Sequence, residues 1–190
     1  MKSLLKINPL SSFFFLFFFA FCGNIFADNS GLAVCKVIDG NTFVTWLGED
    51  TSTTYPTIEA AIGTVATNPT TWTITRLTGT GQYAVQAPSM ATNANGDVIV
   101  VFEYYDSTTT DTLCAAAMLP TGTSTWIINV LSTGATYANM GDQRGSIDEL
   151  GNVIVTWGAY DPALNENHVF VATSTISTTP TWSGPVQLSP

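Results

Sequence analysis

Basic residues are scarce in this chain. Its 190 residues hold five Lys and Arg against fourteen Asp and Glu, with one His, for a net charge of −9. A phosphate backbone is bound by clustered cations that displace its counterions. Nucleic acid is therefore excluded as a partner, and so is electrostatic docking on an anionic membrane surface. Charged residues of either sign make up only 10% of the chain. Thr and Ser carry the polarity instead, which suits the wet side of a pleated sheet. The lone His168 has no Cys or second His nearby in sequence, so a metal centre or an activated nucleophile lacks its parts. Asp148-Glu149 before Gly151 lacks the alternating ligands and closing glutamate of a calcium loop. Phosphate-binding glycine loops, heme motifs and serine elbows are also missing. No cofactor and no metal are expected.

Long apolar runs are equally few, and the dominant one is at the start. Lys2 and Lys6 precede a phenylalanine-rich run from Phe13 to Phe21, and the small residue Ala27 follows Ile25. That order reads as a secretory signal over residues 1–27, too short for a comfortable membrane span. The bulky Phe21 argues against lipidation at Cys22. The expectation is an exported protein (periplasmic, cell-surface or extracellular) that is not an integral membrane protein. Its mature domain would span 28–190 with a charge of 3 − 14 = −11. Two cysteines remain there, Cys35 and Cys114, each in an apolar stretch and at different places in the repeat described next. Buried thiols are expected of them, not a disulfide.

A triplet recurs three times along the mature chain. Gly40, Gly96 and Gly151 are each followed six places on by an aromatic (Trp46, Phe102, Trp157) and ten places on by an aspartate (Asp50, Asp106, Asp161). The glycines are 96 − 40 = 56 and 151 − 96 = 55 residues apart. A period of this length sets the architecture before any local propensity is weighed. Each glycine adjoins Asn or Asp and opens a β-branched or aromatic run, which marks a hairpin. A polar loop, a third apolar run and a second loop follow. The third runs are Ile58 to Ile62, Leu113 to Leu119 and Val169 to Ala172. The loops lead to Trp72, Trp126 and Trp182, each ahead of a short strand. Ile58 to Ile62 could pass for a helical turn, but its repeat equivalents could not, so it is read as strand. The chain is expected to be all-β: three four-stranded antiparallel repeats at about 31–83, 84–137 and 138–190. Runs such as Val98 to Phe102 are apolar at every position, which predicts strands covered on both faces. Radially stacked sheets provide that, and such a sheet is the blade of a β-propeller.

The unit ATNANGDVIVVF…D…LCAAAML…TWIINVLS resembles the long-bladed β-propeller repeats of secreted bacterial proteins, themselves similar to sialidase-type propellers. The resemblance covers residues 31–190 and rests on the repeated turn, the aromatic and the terminal tryptophan. The Asp-box that such a family implies would place glycine three residues before that tryptophan. Pro69, Thr123 and Thr179 stand there instead. Three blades are fewer than the four to eight of a closed ring. The expectation is a partial propeller, or one completed by a second copy through its open edges. A β-trefoil is the alternative, but its Gln-x-Trp signature is missing.

Sialidase chemistry, which the resemblance brings up, needs an arginine cluster, and the mature chain has only Arg76 and Arg144. It is excluded on that ground. A general glycosidase needs two facing carboxylates, for which Glu49 with Asp50, Glu103 with Asp106, and Asp161 with Glu166 are candidates. The repeated aspartates have two readings: a rim that binds a ligand, or carboxylates that cap their own turns. Tyr105 and Tyr160 stand beside Asp106 and Asp161, and aromatics beside carboxylates can stack on sugar rings. Tyr105, Asp106, Tyr160 and Asp161 are thus the candidate ligand-binding residues. The expected function is a non-catalytic binding module for a glycan or a protein. A glycosidase-like enzyme, or a structural fragment with no ligand, are the alternatives. The six recurring aromatics are expected in the core between repeats.

Overall fold

The computed structural model describes residues 34–38, 41–49, 55–64, 71–132, 138–161 and 163–188. They lie in one compact unit, Leu32–Pro190. The proposed signal segment, Gly40, Asp50 and the Cys35 side chain lie outside the described residues.

Among the described residues there is no helix, and every strand pairing is antiparallel. The first sheet runs in chain order through β1 (Val34–Ile38), β2 (Asn41–Glu49), β3 (Pro56–Thr64) and β4 (Thr71–Arg76). Ile58 to Ile62 is strand, as its repeat equivalents require. In the second sheet, β5 (Gln82–Ala84) and β6 (Ser89–Thr92) both pair with β7 (Val98–Asp106). The ladder continues through β8 (Asp111–Leu119) to β9 (Ile127–Val130). The third sheet orders β10 (Ala138–Ile147), β11 (Asn152–Asp161), β12 (Glu166–Thr175) and β13 (Val186–Gln187). All three sheets are open, and no closed ring forms among the described residues.

The first strand of each unit tests how far the repeat extends. In the third sheet it is the single strand β10, with register shifts on either side of Gly141 and a positive φ of 53° at Asp142. In the second sheet the equivalent segment is broken in two, with Pro88 in the gap. Proline has no amide to give the ladder, so strand pairing stops there and resumes at Ser89.

Strand register makes the three units superimposable along the chain. Phe43 faces Ile62, Thr45 faces Ala60 and Leu47 faces Ile58 in the first sheet. At the same offsets from the hairpin, Ile99 faces Met118, Val101 faces Ala116 and Glu103 faces Cys114. In the third sheet the pairs are Ile154 with Thr173, Thr156 with Val171 and Gly158 with Val169. Side chains alternate faces along a strand, so each set of six belongs to one face.

That alternation explains the doubly apolar central strands. Val98, Val100 and Phe102 of β7, with Leu113, Ala115 and Ala117 of β8, pack with Phe43, Ile58 and Ala60 of the first sheet. The other face of the same two strands (Ile99, Val101, Cys114, Ala116 and Met118) packs with Val153, Val155, Trp157 and Phe170 of the third. The second sheet is sandwiched, as its residue pattern predicts. Phe102 is fully buried, Trp46 and Trp157 nearly so, and Trp157 stacks on Phe170 with centroids 5.8 Å apart. Trp126 and Trp182 are half-buried against the two clusters. Burying these side chains supplies roughly 1.5–3 kcal/mol each, the main driving force available to a chain with so few charged residues.

Hairpins lock the second and third sheets in place. Gly96 and Gly151 have φ of 88° and 79°, the left-handed conformation that the turn signal predicts. Asn93 Nδ2 donates to Asp97 Oδ2 (2.9 Å) and to the Asp148 carbonyl (3.0 Å). The Ala94 amide donates to Glu149 Oε2 (3.0 Å), and Asn95 Nδ2 donates to the Glu149 carbonyl (2.8 Å). Asp148-Glu149 thus serves its own hairpin and its neighbour's. Among the described residues no three His, Cys, Asp or Glu side chains are grouped to hold a metal ion. Among those residues no helix is long and apolar enough to cross a membrane.

Candidate functional site

The turns after β7 and β11 carry the residues singled out by sequence. Asp106 Oδ1 accepts the Thr108 amide at 2.8 Å, and that bond is the main cause holding the Asp106 carboxyl below its ordinary range. Asp161 Oδ1 accepts the amides of Ala163 (2.8 Å) and Leu164 (3.2 Å). Both carboxylates therefore cap their own turns. Capping uses Oδ1 in each. For Asp106 the other oxygen, Oδ2, faces Gln82 Nε2 at a long 3.5 Å.

Tyr105 and Tyr160 share a register position but not an environment. Tyr160 Oη donates to Asn165 Oδ1 at 2.7 Å, inside its own loop. Tyr105 sits beside Tyr83, to which strand pairing joins it, with ring centroids 6.4 Å apart and planes 17° apart. Tyr83 in turn meets Tyr55 at 4.2 Å and 32°. Three tyrosines thus form a row reaching from the start of β3 in the first sheet to the end of β7 in the second. Tyr55, at the outer end, is 50% exposed. The Ser107 amide donates to the Gly81 carbonyl at 2.9 Å, so the Asp106 turn is fixed against the segment that carries Tyr83. At Gly81 φ is 76°, and a Cβ would come within 2.8 Å of Ser107 Oγ; only glycine allows this approach.

Glu103 breaks the repeat. Its register equivalents are Leu47 and Gly158, yet here a carboxyl, 1% exposed, points between the second and third sheets. Gln86 Nε2 donates to Glu103 Oε2 and also lies against Gln143 Oε1; Gln143 Nε2 donates to the Ala87 carbonyl at 2.8 Å. Glu103 Oε1 is buried with no hydrogen-bond partner. Burial pushes the Glu103 carboxyl up to about 7, against the smaller lowering effect of Gln86. Cys114, directly opposite on β8, is a free and buried thiol. Its pKa is raised first by burial and then by Glu103. A thiol in that state is inert as a nucleophile.

His168 is 2% exposed; Gln187 Nε2 donates to its Nδ1 at 3.0 Å, and its ring meets Phe170 edge-on. It is a packed side chain. A depression of about 530 Å³ lies over the third sheet and has one carboxylate, Asp148, in its lining. Glu103 is not in that lining.

Sequence reasoning found Tyr105 through its place in the repeat and missed Tyr55 and Tyr83, which occupy no recurring position. The only available signal was an isolated Tyr83 between turn-forming Gly81 and a small Ala84. Comparison with known protein families, with curated proteins and with solved structures finds no match to this chain.

Proposed function

We propose that this chain is an exported, non-catalytic binding module, built from β-propeller-type blades and recognising a glycan at the turn end of its first two sheets. The observation that carries the reading is the row Tyr55–Tyr83–Tyr105 ending beside Asp106. An aromatic surface with a polar border matches a sugar, whose apolar ring face packs on π-systems while its hydroxyls need hydrogen-bond acceptors. Asp106 supplies a carboxylate that stays ionised, because the backbone amide of Thr108 stabilises its charge. The exposed Ser107 and Thr108 beside it add hydroxyls. The acidity of the chain makes a neutral glycan a better ligand than an anionic one, since net charge of one sign repels its like.

A catalytic role has less support. Glu103 is sealed between sheets, and Asp106 and Asp161 each give one carboxylate oxygen to their own turns. Screening the purified chain on a glycan array, with Tyr83→Ala, Tyr105→Ala and Tyr160→Ala in parallel, tests the proposal. Loss of one stacking ring is worth about 0.5–1.5 kcal/mol beyond its area, so Tyr83→Ala and Tyr105→Ala should each weaken binding about tenfold. Binding that ignores both changes, or an array with no positive glycan, would overturn the reading.

A further inference from the structure

The register equivalence of the three sheets identifies a surface that the ligand site does not use. One face of the first sheet, including Phe43, Leu47 and Ile58, docks the second sheet. The same face of the second, including Ile99, Val101 and Ala116, docks the third. On the third sheet that face is formed by Ile154, Thr156, Val169, Val171 and Thr173, and no described strand covers it. Ile154 and Val169 are each 45% exposed, although they match Ile99 and Cys114, which are buried at 0% and 1%.

We infer that this face of the third sheet docks the same face of a second copy of the chain, making a two-fold dimer. Two observations beyond exposure favour a copy of itself. First, a two-fold interface needs its protrusion and its hollow on the same surface. Both are here: Val186 and Leu188 stand out at the β13 edge, 54% and 61% exposed. The depression of about 530 Å³ opens on the same face, over Ser146, Ile154 and Thr173. Second, an acidic chain meets its copy at lowest electrostatic cost where carboxylates are fewest. Carboxylates are few on this face: β11 and β12 carry none from Asn152 to Tyr160 or from Asn167 to Thr175, Asp148 is the one carboxylate in the lining of the hollow, and Arg144 lies on β10 opposite Thr156. Like charges brought together would oppose association, and this face brings few of them. The first sheet offers no comparable surface, because Val44, Trp46 and Ala61 on its other face are already buried.

The expected strength follows from size. Strands about 4.8 Å apart rising about 3.3 Å per residue give this face roughly 500 Å², or about 1,000 Å² for the pair, at the lower limit for specific association. The dimer should therefore dissociate in the micromolar range. This inference is independent of the glycan reading, since the tyrosine row lies on the first two sheets.

Sedimentation equilibrium of the purified full chain, from roughly 1 to 200 µM to bracket such an affinity, reads the association directly. Ile154→Lys and Val186→Lys each place a charge on an exposed position, so the monomer should fold, as near-ultraviolet circular dichroism from buried Trp157 would report. Each should raise the dimer dissociation constant at least about 30-fold, because two unpaired ammonium groups would be desolvated per interface. A chain that stays monomeric throughout, association unchanged by both substitutions, or open-ended growth in place of a dimer would each overturn the inference.

Discussion

Replacing Glu103 with Gln should remove the Glu103 share of a fall in stability expected of the wild-type chain between about pH 4.5 and pH 7. In the folded protein burial lifts the carboxyl from 4.5 to about 7, so the folded state holds a proton that the unfolded state releases. Stability from this group is complete below the unfolded value and is lost as pH rises through the folded one. A tenfold difference in proton affinity between the two states corresponds to about 1.4 kcal/mol, which bounds the loss at about 3.4 kcal/mol. Residual screening and relaxation at a joint between sheets should reduce it to about 2 kcal/mol. Glutamine keeps the size and has an amide oxygen to accept from Gln86, but does not titrate. Glu59 is also raised by burial and contributes in the same sense, while Asp106 and Asp148 are lowered and act at more acid pH. All three are shared by wild type and variant, so the difference between the two isolates Glu103. Urea unfolding followed by tryptophan fluorescence at pH 5, 6, 7 and 8, taken as about one-unit steps across the window, measures it. The wild-type midpoint should fall across the series relative to that of Glu103→Gln. Parallel profiles would refute the assignment of a proton to Glu103 and with it the reading that this carboxyl is sealed between the sheets.

Two further substitutions test how the sheets are held. Gly145→Ala would place a Cβ 2.6 Å from Val101 Cγ2, a short branched side chain that cannot swing away. The joint between the second and third sheets should lose about 1–3 kcal/mol to overpacking, read as a lower urea midpoint; an unchanged midpoint would mean the sheets are not in this contact. Asp97→Ala removes acceptors for the Thr121 amide (2.8 Å) and for Asn93 Nδ2. Leaving donors unsatisfied costs about 1–3 kcal/mol, so Asp97→Ala should unfold earlier than Asp97→Asn, which keeps one acceptor oxygen; equal stability of the two would argue against these bonds.

Periodicity made the ladder legible in the residues alone. In the second and third units the glycine, the aromatic and the aspartate recur because the hairpins repeat one geometry: a left-handed turn residue, a side chain driven into the core six places on, and a cap at the far end. What periodicity reveals least is any contact that joins different positions of successive units. Gln86 and Gln143 are 57 residues apart, close to one period, yet neither stands out until Glu103 is seen between them. Pro88 divides the strand that in the third unit continues as β10, and only the pairing shows that its two halves keep one place in the sheet. Tyr55 and Tyr83 belong to no recurring set, so their meeting with Tyr105 depends on how the first two sheets pack. The repeat also explains why these exceptions matter. The fold accepts Leu47 at the equivalent position in one unit and Gly158 in another, so a buried acid at Glu103 is not demanded by the architecture. The same holds for the tyrosine row, absent from the third sheet even though Tyr160 occupies the matching place. Where three copies of one scaffold differ in chemistry at equal register, packing has ceased to dictate the residue, and those positions are where a binding role can be sought without competing with the core.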